Sequence, residues 1–436
     1  MTTKKKRIIT LGSVGAGLLV IMSAVQIAAG MQAKNLDLLF PGDIIVNDDG
    51  SGLSGDYIDF EYDSQEDALK NAQQKTQLTA EEGMTLLKNE NNALPLAKTQ
   101  KVTILGYYSW HNNMSGGEDP ATTNGAISIG KGLEAAFDTN KSVNEIYASA
   151  SGDFANPEET FKDVRNTFGE YDTAIITIKR NSGEGNDQSM DAGASEYHRT
   201  GLTLNNAEYA LIDYASKNFK KVVLVINAAN TMELGFLDEN DPNMSADGMY
   251  TDPYSKKQYD FSKVQAAVWA GCCGSQGGTA LANILNGTVN PSGHLPDTYI
   301  RDLTKDPSYK NFGSYKYSNS VDLNSYQEET FFVEYEEGIY IGYRYYETAA
   351  YEASKGNYSG FDYEQEVVFP FGYGLSYTNF EMEYAGTPTY DEETGVYHFD
   401  VKITNVGTVA GKGVAQIFVN VPYQKGQVDD EAIAVG

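Results

Sequence analysis

The 436-residue sequence predicts an α/β fold, a mostly parallel sheet sandwiched by helices, followed by an incomplete all-β sandwich. Two observations carry this expectation. Apolar runs alternate with helical patterns through the middle of the chain: Val102 to Leu105, Ala174 to Ile178, Val222 to Ile226 and Val264 to Trp269 read as strands, with helices near Asn205 to Lys217 and Gly277 to Leu285. Alternation of this kind implies a mostly parallel sheet covered by helices on both faces. Near the C-terminus the period becomes two. Tyr397, Phe399, Val401 and Ile403 alternate with His398, Asp400, Lys402 and Thr404, and a second run carries Ala415, Ile417, Val419 and Val421. These read as antiparallel strands with one buried face. An immunoglobulin-type sandwich takes about seven strands, and the sequence supplies two or three.

From the N-terminus, Lys4-Lys-Lys-Arg7 precedes an uncharged stretch from Ile8 to Ala33, the pattern of an export signal. Ala28-Ala-Gly30 offers small residues for processing, and the stretch is also long enough to span a bilayer, so residues 1–33 fit a cleaved signal peptide and a retained anchor alike. Both place the remainder outside the cell. Residues 34–64 are rich in Asp and Gly with little periodicity and read as a solvated linker. Ala68 to Lys88 has helical spacing, ended by polar residues and the turn at Pro95.

Composition excludes some functions. Sixty acidic residues against 32 basic ones leave a formal charge of −28, which repels nucleic acid. The two cysteines, Cys272 and Cys273, are adjacent and form no disulfide framework. The histidines, His111, His198, His294 and His398, lack metal-ligand spacing, so neither a metal nor another cofactor is expected. Gly277-Gly278 at a helix start reads as close helix packing and implies no nucleotide.

The stretch Arg180-Asn-Ser-Gly-Glu-Gly-Asn-Asp-Gln188 follows a buried strand pattern. Glycines on both sides of Glu184 remove neighbouring side chains and let a carboxylate project from the end of a rigid element, and in parallel sheets ligands bind where strands end. The plain alternative is a solvated Glu in an ordinary turn.

Further motifs coincide with one family. Ala80 to Leu96, the Arg180–Gln188 stretch, Trp269 to Gly287 with Val289-Asn-Pro-Ser-Gly-His-Leu-Pro296, Glu337-Gly-Ile-Tyr-Ile-Gly-Tyr-Arg-Tyr-Tyr346 and Phe369-Pro-Phe-Gly-Tyr-Gly-Leu-Ser-Tyr377 resemble the C-terminal α/β-sandwich domain of glycoside hydrolase family 3, β-glucosidase-like. The resemblance implies a family-3 domain over residues 65–380 and a partial fibronectin III-like sandwich over 381–436. It also implies that Glu184 is the general acid/base of a retaining glycosidase acting on a β-glucoside or oligosaccharide. Ser182, Arg180 and Ser115 are candidate substrate contacts, with a structural salt bridge the alternative for Arg180 and an ordinary loop serine for Ser115. The family's nucleophile is an Asp on a (β/α)8 barrel, in a Ser-Asp-Trp context that neither Trp110 nor Trp269 provides. No stretch resembles that barrel, so it is expected downstream or as a partner in trans, with membrane association through the N-terminal segment. A non-catalytic surface carbohydrate-binding protein is the competing class.

Overall fold

The computed structural model describes residues 62, 64–111, 125–180, 188, 200–311, 315–318 and 331–418. The centre is a six-stranded sheet of β1 (Thr85–Asn89), β2 (Lys101–Leu105), β3 (Asp138–Thr139), β4 (Thr173–Lys179), β5 (Lys221–Asn227) and β6 (Val264–Trp269). Their spatial order is β1-β6-β5-β4-β2-β3. Every pair is parallel except the edge pair of β1 with β6.

All seven residues of β4, and six of the seven in β5, are buried. Alternation divides them between two cores. Ala174, Ile176 and Ile178 of β4 join Val222, Leu224 and Ile226 of β5 on one face, against Ile212 and Ala215 of α4 (Asn206–Asn218). Ile175, Val223 and Val225 face the other way, against Ile129 and Leu133 of α2 (Ile129–Ala136) and Leu281 and Ile284 of α5 (Gly277–Leu285). A strand buried on both sides has no solvent face, which is why these segments read as unbroken apolar runs. α1 (Gln65–Gly83) starts at an N-cap serine, Ser64, whose side chain accepts from the Asp67 N–H. α3 (Lys141–Ala148) buries Val143 and Tyr147.

Helices α2 and α5 meet glycine to glycine. A Cβ on Gly132 would lie 2.0 Å from the Gly278 carbonyl oxygen, and one on Gly278 would lie 2.0 Å from the Ser128 carbonyl oxygen. The glycine pair that opens α5 therefore serves close packing, as expected from the sequence.

The helix expected over Ala68 to Lys88 is corrected at its end. α1 stops at Gly83, and Thr85–Asn89 forms β1, registered from Thr85 opposite Trp269 to Asn89 opposite Ala266. Met84, Leu86 and Leu87 are buried at the sheet edge, a demand that helical periodicity did not reveal. Tertiary packing decided the element.

In the C-terminal part, Phe380–Tyr384 pairs antiparallel with Val401–Asn405, and Thr389–Asp391 with Val396–His398. The strands are antiparallel as expected, but the face expected to be buried is exposed: Tyr397 is 68% exposed and Ile403 41%. Residues 415–418 of the second run are irregular, and Val419 and Val421 lie outside the described residues. The apolar alternation is present without an opposing sheet among the described residues, so burial does not follow from pattern alone. No described helix is long and apolar enough to cross a membrane, and the export segment, residues 1–33, is not among those described.

The α2–α5 contact gives a direct test. Replacing Gly278 with Ala forces a methyl against backbone on the facing helix, and overpacking of this kind costs about 1–3 kcal/mol or more. Urea denaturation of Gly278→Ala should show at least that loss, whereas Gly169→Ala, whose Cβ would meet nothing within 4 Å, should stay within about 0.5 kcal/mol of the parent chain.

Candidate active site

Strand β4 ends at Lys179, and Arg180 follows it into the interior. The Arg180 guanidinium forms a two-pronged ion pair with Glu208, Nη1 to Oε1 and Nη2 to Oε2 at 2.7 Å each. Its remaining donors reach three carbonyl oxygens: Nε gives to Gly201 at 2.6 Å, Nη1 to Lys179 at 2.7 Å, and Nη2 to Thr203. All five N–H groups are used, the full capacity of an arginine. Glu208 is fixed in turn by the capping box of α4. The Asn205 side chain accepts from the Glu208 N–H, and Glu208 Oε2 accepts from the Asn205 N–H.

This settles what Arg180 does in the fold. In this arrangement none of its N–H groups is left over for a sugar hydroxyl. The salt-bridge alternative holds. The ion pair ties the residue that follows β4 to the first turn of α4, and the bonds to the Gly201 and Thr203 carbonyls tie it to the segment beginning at Thr200, so Arg180 links the described residues on either side of the stretch containing Glu184. Glu184, Ser182 and Ser115 lie outside the described residues.

Several of the other quoted motifs converge elsewhere, in a framework. Leu86 bridges to Leu375, Tyr373 Oη donates to the Leu87 carbonyl at 3.1 Å, and Tyr377 Oη donates to the Ile284 carbonyl at 2.9 Å. Asn290 Oδ1 accepts from Ser376 Oγ and from the Tyr377 N–H, each at 2.8 Å. Ideal Cβ atoms on Gly293 and Gly374 would lie 2.4 Å and 2.3 Å from the carbonyl oxygens of Met84 and Gly293. These segments are distant in sequence and stitched together by side-chain-to-backbone bonds and close glycine contacts, so their residues serve the fold.

Carboxyl groups that sequence reasoning missed lie near the carboxyl ends of the central strands. Asp153 accepts from the Tyr107 N–H at 3.1 Å, just beyond β2, and burial raises its pKa, with Glu208 adding to the rise and Arg180 opposing it. Glu233, seven-hundredths exposed and soon after β5, accepts from Tyr254 Oη at 2.7 Å and from the Leu303 N–H at 3.0 Å. Burial pushes its carboxyl up to about 7, aided by the charges of Asp302 and Asp252. Neither has a motif; only tertiary burial distinguishes them. Cys272 is an exposed and Cys273 a buried free thiol.

The profile of the glycosyl hydrolase family 3 C-terminal domain matches residues 84–247 and 248–343, more than half of the chain. The chain belongs to glycoside hydrolase family 3. It is 33% identical over 362 residues to a β-glucosidase of Ruminococcus albus, covering 79% of this chain and 32% of that one. It is 30% identical over 385 residues to β-glucosidase A of Butyrivibrio fibrisolvens, covering 79% and 41%. Among solved structures, β-glucosidase 3B of Thermotoga neapolitana in complex with glucose superposes with a TM-score of 0.60 at 25% identity, covering 84% of this chain and 46% of that one. The chain spans less than half the length of these relatives. The α/β architecture expected from the sequence and the family resemblance both stand.

Two outcomes follow from the site's electrostatics. Arg180→Met leaves Glu208 buried without its cation, and breaking a buried pair from one side costs about 3–5 kcal/mol; denaturant unfolding should register it, and a loss below about 1 kcal/mol would sink the anchoring role. Glu233 acts on the pH profile of stability. Its folded pKa is raised from 4.5 to about 7, so between those values the folded chain holds a proton that the unfolded chain has released. Stability therefore falls as pH rises through that window and levels off above it, by up to about 3 kcal/mol. Glu233→Gln should flatten that part of the curve, measured by urea unfolding at stepped pH.

Proposed function

We propose that this chain is the acid/base-carrying part of an exported retaining β-glycosidase that hydrolyses terminal β-linked glucosyl residues. Glu184 is the general acid that protonates the leaving oxygen, and then the general base that activates water. The nucleophile, an Asp on a (β/α)8 barrel in cis or in trans, stands about 5 Å from it in the assembled site, as retention requires. The sequence from 381 onward is the start of a fibronectin III-like sandwich, and residues 1–33 direct export or anchoring.

The observation that carries this reading is the position of Ser182-Gly-Glu-Gly185 in the chain. It comes directly after the central buried strand β4, past the Arg180 anchor, in a member of a family whose relatives named above are β-glucosidases. The carboxyl ends of strands in open α/β sheets are where ligands gather. An acid there needs a pKa near neutrality to serve in both directions, and burial is the force that raises it. Ser182, two residues before Glu184, is the remaining candidate for a hydroxyl contact on the same stretch, and Ser115 a more distant one.

Two measurements test it. The 436-residue chain alone should turn over no aryl β-glucoside, because an acid without its nucleophile forms no glycosyl-enzyme intermediate. Clear hydrolysis abolished by a substitution elsewhere, with Glu184 dispensable, would overturn the assignment. With the barrel supplied, Glu184→Gln should lose most turnover on natural glucosides. On an activated aryl glucoside it should accumulate intermediate that azide releases, since azide needs no general base. A variant with unaltered turnover on natural glucosides would reduce Glu184 to a turn residue.

A further inference from the structure

A cavity of about 650 Å³ opens beyond the end of β5, lined among others by Thr231, Thr298, Leu303, Asp306, Tyr309 and Arg344. One of its walls is the stretch from Asp302 to Asn311, which carries two short helical turns, Leu303–Lys305 and Tyr309–Asn311. Its leading edge is pinned by Arg301, whose guanidinium pairs with Asp238 and Asp241. Past that point the hold is lighter. Leu303 belongs to a cluster of five buried apolar residues, with Leu202, Ile300, Tyr346 and Val367, apart from the two large cores. Tyr346 Oη donates to Asp306 Oδ2 at 3.0 Å, and the Leu303 N–H donates to Glu233 Oε1 at 3.0 Å.

Glu233 joins three segments. Its own N–H donates to the Leu202 carbonyl at 3.1 Å, Oε1 takes the Leu303 N–H, and Oε2 accepts from Tyr254 Oη at 2.7 Å. Tyr254 lies on the turn of the hairpin formed by Met249–Thr251 and Gln258–Asp260. A carboxyl this far from water ionises cheaply only beside a cation. The charges of described residues that act on it are both negative: Asp302 on the wall and Asp252 on the hairpin. The Arg301 cation is taken by Asp238 and Asp241, and that of Lys305 by Glu366. Asp252 accepts from the Tyr254 and Ser255 N–H groups at 3.1 Å each and from Ser255 Oγ. Tyr250 and Tyr254 face the carboxyl as phenols, and burial together with the surrounding carboxylates pushes both upward, so they keep their protons. A protonated Glu233 retains both of its bonds, because a phenol oxygen can accept as well as donate. An ionised one retains them too, but three negative charges then meet in a dry seam.

We propose that Glu233 is a proton-operated latch between the hairpin and the Asp302–Asn311 wall of the cavity, shut while the carboxyl holds its proton and loosened when the proton passes to solvent. Loosening lets water reach the carboxylate and frees the Leu303 N–H. The direction follows from the two states. With the seam shut the carboxyl is raised from 4.5 to about 7, and with the seam open it returns toward 4.5. Between those values the shut form holds a proton that the open form has released, so opening becomes easier as pH rises through the window and levels off above it. The latch goes beyond the glycosidase reading and uses no part of it, and its test contains no substrate.

Hydrogen–deuterium exchange of the 436-residue chain is followed by mass spectrometry and corrected for intrinsic exchange rates. Peptides covering residues 300–306 and residues 222–227 are compared. Protection of 300–306 should fall by roughly a hundredfold between about pH 5 and 7 and then level off. Low urea should leave that exchange unchanged, since a local opening exposes little surface, whereas residues 222–227 of β5 open only with the whole domain and should respond to urea. Glu233→Gln keeps an acceptor for Leu303 and a partner for Tyr254 without a titrating group, so its protection of 300–306 should stay high and flat with pH. Tyr254→Phe removes a bond that lowers the Glu233 pKa and should move the fall to higher pH, a second reading that does not depend on the Gln variant folding. Protection of 300–306 that ignores pH, or a fall that persists in Glu233→Gln, would overturn the latch. So would urea sensitivity of 300–306 equal to that of 222–227, which would reduce Glu233 to its effect on global stability.

Discussion

The buried pair of Arg180 and Glu208 is the constraint on which the candidate site depends. Removing two charges from water is expensive, and the cost is offset only where geometry is good and every remaining donor and acceptor is met. Here the guanidinium meets a two-pronged carboxylate and three carbonyl oxygens, and the carboxylate also closes the capping box of α4. Three elements are thereby tied at one point: the end of β4, the segment resuming at Thr200, and the first turn of α4. Deleting the cation would leave an uncompensated charge in the core, so the pair resists partial substitution.

The sheet beneath follows from a simpler rule. β4 and β5 are buried on both faces, so no polar chemistry can leave the sheet sideways. It is confined to the strand ends, and there Asp153, Glu233, Arg180 and the cavity bearing Thr298 and Arg344 are found. The framework motifs serve the same end at a distance. Tyr373, Tyr377 and Asn290 fasten the segment after residue 369 to β1 and α5.

What could be read from the sequence had local causes. The four central strands announce themselves because burial on both faces leaves unbroken apolar runs, and α4 and α5 because their apolar spacing is helical; each is found within a residue or two of the expected place. β1 was hidden because Met84, Leu86 and Leu87 continue a helical pattern, and only pairing with β6 makes them a strand. Arg180 looked like a ligand contact because its partner Glu208 lies 28 residues away and on another element. The cavity could not be read at all, since Thr231, Thr298 and Arg344 come from separate segments with no shared spacing. The C-terminal strands show the opposite limit: their alternation was visible, yet Tyr397 and Ile403 stay exposed, because a pattern states which face could be buried and says nothing about what covers it.

Electrostatics joins the anchor to the chemistry proposed for Glu184. An acid/base carboxyl must keep its proton until the leaving group takes it, so its surroundings have to raise its pKa, and a nearby arginine would ordinarily lower it. Arg180 is paired in two-pronged fashion with Glu208, so the two charges largely cancel at a distance and the anchor costs a neighbouring carboxyl little of its proton affinity. Three carboxyls near these strand ends display the prevailing direction. Asp153, Glu233 and Asp297 are all shifted upward, each with burial as the largest cause, and Asp153 is shifted upward even though Arg180 acts on it. A neutralised anchor combined with a dehydrating sheet end is thus a setting that raises the pKa of the carboxyls at these strand ends, a direction that an unpaired arginine at position 180 would oppose.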